Sequence, residues 1–151
     1  MSATPPSFSI EKLYVKDLSL EIPGAPQVFM QAGSPQLDVQ VQNSASRFGD
    51  GLYEVVVTVT VTARAEEKTL FLAEAAQAGI FAIRNVPEGE IDPLLGIVCP
   101  TVIYPYVRET ISDLVTRGGF PPVLLAPVSF EALYAQRMQK QSSEPKIEIA
   151  H

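Results

Sequence analysis

The sequence predicts an α+β fold: a four-stranded antiparallel sheet with two to three helices packed on one face, oligomerising through the helices. Three observations lead there. Four segments of period-two hydrophobicity fill the first half of the chain. Turns or a single loop join them, with no helical segment between, which favours antiparallel pairing. Beyond Asp92 the apolar spacing changes to three and four, the spacing of a helix face.

In the first strand Phe8, Ile10, Tyr14, Leu18 and Leu20 share one parity, and Ser9, Glu11, Asp17, Ser19 and Glu21 the other. Pro23-Gly24-Ala25-Pro26 breaks this strand, and a loop runs to about Pro35. Leu37 to Gln42 alternates strictly as a half-buried strand, and Asn43 to Gly51 reads as turn. Val55, Val57, Val59 and Val61 then give the strongest β signal, because branched side chains suit a pleated, half-buried surface. Arg64 to Lys68 makes a hairpin turn. Thr69 to Gln77 returns as a fourth strand, with Phe71, Ala73 and Ala75 on one face and Leu70, Leu72 and Glu74 on the other.

Asp92-Pro93 reads as a helix start, with Asp as cap and Pro at the first helical position. Pro100 ends that short helix, and a longer one runs to Arg117 with Ile103, Val107, Ile111, Leu114 and Val115 on one stripe. Pro105 lies in its first turn or kinks it. Gly118-Gly119 closes it, and Ser129 caps a last helix whose apolar face is Phe130, Leu133, Tyr134 and Met138. Residues 1–7 are expected as a flexible N-terminus, 8–139 as a single domain and 140–151 as a polar tail.

Charge and chemistry narrow the function. Seventeen acidic against eleven basic residues give a net charge of −6, without the basic footprint of a nucleic-acid binder. No apolar run approaches a membrane span, and the N-terminus lacks a secretory signal, so the expectation is a cytoplasmic protein without membrane insertion. There is no Walker-type loop and no nucleophile elbow. The single histidine, His151, ends the chain. Cys99 has apolar neighbours and no cation to activate it, so it reads as a buried structural thiol. Glu88, Glu90 and Asp92 read as a solvated acidic first turn. No cofactor or metal is expected.

Two mismatches remain. Helices on one side leave the other side of the sheet bare, and side chains two apart on a strand share a face. If Asp17, Ser19 and Glu21 share theirs with Leu72 and Glu74, the bare side is acidic and suits a cationic partner. Val102, Ile103, Tyr104, Tyr106, Val107 and Ile111 also exceed one helix stripe, and Leu94, Leu95, Ile97 and Val98 are apolar nearly all round. A chain this small has no second layer to bury them, so self-association is expected.

These residues carry a likeness that no single motif does. Phe8 to Glu21, followed by Pro23 to Phe29, resembles the opening of the SecB export chaperones. So do Tyr53-Glu54-Val55-Val56-Val57, Gln77-Ala78-Gly79-Ile80-Phe81, Cys99-Pro100, Tyr104-Pro105-Tyr106-Val107-Arg108-Glu109, Arg117-Gly118-Gly119-Phe120-Pro121 and Leu125-Ala126-Pro127-Val128-Ser129-Phe130. The blocks occur in the family's order from Phe8 to about Met138.

The resemblance implies a homotetramer built as a dimer of dimers that holds precursor proteins unfolded, without ATP, and passes them to the SecA ATPase. It implies that Asp17, Glu21, Leu72 and Glu74 receive the basic, zinc-containing tail of SecA, the zinc belonging to the partner. The last helix and the tail beyond it are a second SecA contact in the family. Parity and resemblance together give a client groove of Val28, Phe29, Val39, Val41, Val59, Val61, Phe71 and Tyr106. Three rivals are a SecB-like chaperone serving a toxin–antitoxin system, a small α+β enzyme using an acid such as Asp38 in an apolar pocket, and a plain structural oligomer with no affinity for unfolded chains.

Overall fold

β1 (Ser7–Glu21), β2 (Gln36–Gly49), β3 (Leu52–Ala65) and β4 (Lys68–Arg84) form one antiparallel sheet in the order β1-β4-β3-β2. The computed structural model describes residues 4–31 and 33–143. α1 (Glu88–Pro93), a π-helical turn (Leu94–Val98) and α2 (Cys99–Arg117) follow one another without a break, and α3 (Phe130–Ser143) comes last. No helix among the described residues is long and apolar enough to cross a membrane.

The core lies between the two central strands and α2. Val55, Val57, Val59 and Val61 of β3 and Ile103, Val107, Ile111 and Val115 of α2 are all fully buried. Each side chain of this kind contributes roughly 1.5–3 kcal/mol of transfer free energy. Ala73 and Ala75 of β4 lie between them at 0% exposure, small enough for α2 to settle close to the sheet. Gln77 is the one buried polar residue there among those described, and its Oε1 accepts from the Thr110 hydroxyl at 3.0 Å.

Several sequence expectations change. β1 contains two bulges, between Ile10 and Lys12 and between Val15 and Asp17. Each shifts the alternation by one residue, so Tyr14 leaves the face of Phe8 and Ile10 and stands opposite Ala78 on the other side. β2 does not stop at Gln42. Its polar stretch Asn43 to Arg47 keeps pairing with Val57 to Tyr53, because the ladder to a valine-rich neighbour outweighs the turn preference of Asn and Ser. β4 likewise runs past Gln77 to Arg84.

The helical half starts earlier than Asp92-Pro93 suggested. α1 begins at Glu88 after Pro87, with Glu88 and Glu90 in its first turn, where acids favour the positive end of the helix dipole. Pro100 does not end a helix. It occupies the first turn of α2, and the preceding π turn carries the chain from Pro93 to Pro100 with the Cys99 amide bonded back to the Leu94 carbonyl. Pro105 falls inside α2 on its exposed side, where water can take the freed Thr101 carbonyl. Ser129 does cap α3, its Oγ accepting from the Ala132 amide at 3.1 Å. α3 extends to Ser143, through the first residues of the expected tail. Ser7 already belongs to β1, and Pro5 is tied by its carbonyl to the Asn85 amide group. The rest of the expected termini, residues 1–3 and 144–151, lies outside the described residues.

Candidate functional site

Two surfaces flank this core. The first is the bare side of the sheet. The register sets Asp17 opposite Ala76, Ser19 opposite Glu74 and Glu21 opposite Leu72. Directly paired residues share a face, so Asp17, Glu21, Leu72 and Glu74 stand together at one end of it. Asp17 and Glu21 are exposed, Leu72 and Glu74 half-buried. The Thr60 hydroxyl donates to Glu74 Oε2 at 2.7 Å. None of the ion pairs among the described residues involves these three carboxylates.

The other end of the same face carries a triad that parity did not anticipate. Lys16 Nζ lies 2.7 Å from Glu54 Oε1, and the Tyr14 hydroxyl donates to Glu54 Oε2. The bonds from Lys16 and Tyr14 hold the Glu54 carboxyl below its ordinary range. Burial, with the carboxylate beside it, pushes the Tyr14 phenol up to about 12. The doubled charges Glu11-Lys12 and Lys16-Asp17 were the available sign of the bulges that build this triad.

The second surface lies on the helix side. β1 and β2 sit at opposite edges, so their connection must pass over the ends of β3 and β4. Val28, in the short 3-10 turn Gln27–Met30, is buried and pins that crossover to the core. Phe29 stacks on Phe120 with ring centroids 5.2 Å apart, and Phe120 stacks on Phe71 at 4.8 Å. Gly119 makes the contact possible: its φ is +89°, and a Cβ there would stand 3.0 Å from the Phe29 ring. Beyond this aromatic wall the inner side of β2 is uncovered, with Leu37 46% and Val39 42% exposed and Val41 half-buried.

Phe29, Val39 and Val41 flank one open apolar strip, with Val28 beneath the crossover. Val59, Val61 and Phe71 are corrected as surface residues: they share the strip's face but are 0%, 0% and 2% exposed, buried in the core beneath the helical layer. Tyr106 is corrected too. Tyr104 of α2 bonds the Ala126 carbonyl on the side of the chain that leaves the helix, and two residues are about 200° of helix rotation. Tyr106 thus faces the opposite flank, and it is exposed. Leu37 shares the parity and the exposure of Val39, and Phe120 packs on both Phe29 and Phe71; neither stood among the expected residues.

Cys99 is fully buried and burial pushes its thiol up to about 12. Asp38 is exposed beside Thr62 on the bare side of the sheet, not in an apolar pocket. Asp92 accepts from the Tyr134 hydroxyl at 2.8 Å. Among the described residues no three acidic, His or Cys side chains are grouped to hold a metal ion.

Comparison with known proteins gives a consistent result. The family model described as preprotein translocase subunit SecB matches residues 1–141. The protein-export protein SecB of Methylobacillus flagellatus is 63% identical over 137 residues, covering 91% of this chain and 87% of the relative. That of Chromobacterium violaceum is 57% identical over 137 residues, covering 91% of each. A SecB-like chaperone of Mycobacterium tuberculosis, solved with a peptide from an antitoxin, has a similar fold: TM-score 0.67 at 17% identity, over 80% of this chain and 90% of that one. A match over nearly the whole chain, with two relatives above half identity, leaves one assignment: the protein belongs to the SecB family of protein-export chaperones.

Proposed function

We propose that this chain is a cytoplasmic, ATP-independent holdase, and no enzyme, that binds unfolded precursor proteins in an apolar groove and hands them to SecA. The observation that carries the reading is the strip of Leu37 and Val39, each more than two-fifths exposed beside the Phe29–Phe120 wall. Such a strip takes extended apolar segments without a sequence code. Burial is worth roughly 25 cal/mol per Å² of apolar area, so a few hundred Å² gives several kcal/mol gross. Ordering the client offsets much of it, so one site binds weakly and exchanges readily. A homotetramer, assembled as a dimer of dimers, would repeat the site four times and raise affinity through effective concentration.

With no nucleotide-binding loop in the sequence, release has to come from a partner. The carboxylates Asp17, Glu21 and Glu74 around Leu72, in no ion pair among the described residues, support a landing surface for the basic, zinc-containing SecA tail, with salt-dependent attraction. The deciding experiment follows aggregation of a denatured precursor. Suppression near one tetramer per client is expected, and its loss in Leu37→Asp/Val39→Asp with sheet content retained. A chain that does not delay aggregation at all would overturn the reading. For the second surface, Glu21→Lys/Glu74→Lys should abolish SecA binding in calorimetry while client holding survives; unchanged SecA affinity refutes the landing surface.

A further inference from the structure

Both β1 bulges fall at a doubled charge, Glu11-Lys12 and Lys16-Asp17. Each bulge residue is tied to the bare side of the sheet: Glu11 accepts from the Ser9 hydroxyl at 3.1 Å, and Lys16 bonds Glu54. The second bulge therefore sets a cation and an anion side by side on one face, and the surroundings treat them differently. Both oxygens of Glu54 are occupied, by Lys16 and by Tyr14, and its side chain is only 18% exposed. Asp17, Glu21 and Glu74 have no cation among the ion pairs of the described residues. The face is thus divided. One half carries Lys12 and Lys16 against Glu11 and Glu54, charges that balance; the other half, with Asp17, Glu21, Glu74 and Asp38, is acidic and open.

We propose that Lys16 is a specificity-determining residue: it consumes the charge of Glu54 and confines a cationic partner segment to the Asp17–Glu21–Glu74 half, fixing its register. The inference rests on the reading that this face receives a cationic tail. A segment displaced by two residues toward Lys12 moves about 7 Å along the strand. There the two lysines, within one Debye length at physiological salt, offset Glu11 and Glu54, so the segment exchanges attraction for a half with no net charge. The half-exposed Lys16 ammonium stands at the border between the halves. Electrostatic complementarity of this kind acts on register and partner choice more than on gross affinity.

The test uses the full chain and a zinc-loaded SecA tail peptide, titrated by calorimetry at several salt concentrations. Glu54→Gln leaves the Lys16 ammonium unpaired and is expected to weaken binding by about three- to tenfold, while Glu21→Gln and Glu74→Gln weaken it by about fivefold or more. Lys16→Met should tighten binding by about three- to tenfold and steepen the salt dependence, since it frees the Glu54 carboxylate. Lys16→Gln, with the same charge change and a polar side chain, should do the same. Lys16→Arg should restore the wild-type value, and Lys16→Met/Glu54→Gln should return to it. The proposal is overturned if both Lys16 replacements leave binding unchanged or weaker, or if Lys16→Met/Glu54→Gln does not return it to the wild-type value. If instead Glu21→Gln and Glu74→Gln have no effect, the landing surface itself is refuted.

Discussion

The ring of Tyr134 lies against Gly96: a Cβ built on that glycine would stand 2.6 Å from the ring's Cδ1. Gly96 is buried in the π turn before α2, and Tyr134 projects from α3 with its hydroxyl bonded to Asp92 Oδ2 at 2.8 Å. The contact fastens the last helix to the first part of the helical layer. Gly96→Ala separates two opposing effects. Alanine ordinarily favours a helix interior over glycine by about 1 kcal/mol. Here the ring is held by its hydroxyl and cannot simply turn away, and overpacking of this kind costs about 1–3 kcal/mol. We expect net destabilisation in urea unfolding. In a Tyr134→Ala background the same substitution should become neutral or stabilising, and a double-mutant cycle reads the difference.

The β3–β4 hairpin holds an avoidable cost. Ala65 pairs with Lys68, so Glu66 and Glu67 alone form the turn, with φ of +49° and +68°. Two-residue turns of this hand want Asn-Gly, because a side chain with a Cβ is disfavoured at positive φ by roughly 1–2 kcal/mol per residue. Glu66→Asn/Glu67→Gly should raise the urea midpoint by an amount worth about 1–2 kcal/mol, with an unchanged slope. Glu66→Gln/Glu67→Gln removes the same charges and leaves the strain. If it stabilises equally, repulsion between the two glutamates is the cause instead.

That turn shows why some of the fold was legible and some was not. Its position followed from the charged break between two alternating runs, but its backbone type did not, since neither residue is one that favours it. The order of four strands and a helical half was legible because Val55 to Val61 and Ile103 to Val115 each repeat one period over several turns or pleats. Tyr14 was placed on the wrong face because strict alternation assumes no bulge, and a single extra residue inverts everything after it. The acidic cluster escaped that error because β1 has two bulges, and the second restores the parity lost at the first. Groove depth was illegible for a different reason. Parity puts Val39, Val59 and Val61 on one face, but only the lateral position of α2 decides which of them it covers.

Cys99 should behave as a structural thiol. It is fully exposed only on unfolding, and with its thiol pushed up to about 12 by burial almost none is ionised at pH 8. Iodoacetamide at that pH is expected to leave the native protein unmodified over hours and to label it completely in denaturing urea. Rapid native labelling would show that the segment between the π turn and α2 opens far more readily than its packing indicates.

The Tyr14–Glu54 bond gives the fold a specific dependence on alkaline pH. The ordinary phenol titrates near 10, and burial with the adjacent carboxylate raises Tyr14 to about 12 in the folded protein. A group raised on folding stabilises fully below its unfolded value, and the gain is lost as pH rises through the folded one. Between pH 10 and about 12 the unfolded chain has already released the Tyr14 proton while the folded protein retains it, so stability falls with pH. Other tyrosines and lysines titrate nearby, and the measurement is therefore the difference between wild type and Tyr14→Phe. We expect wild type to be the more stable below pH 10, with the gap narrowing steadily as the pH rises to about 12. Glu54 works in the opposite sense: bonded to Lys16 and Tyr14, its carboxyl is held low, so its contribution is present above its ordinary value and lost as pH falls through the depressed one. Lys16→Met removes the first-named cause of that depression and should shift the acid limb of the stability curve toward neutrality. A gap between wild type and Tyr14→Phe that stays constant across the alkaline window would mean that the phenol is not held by Glu54 in solution.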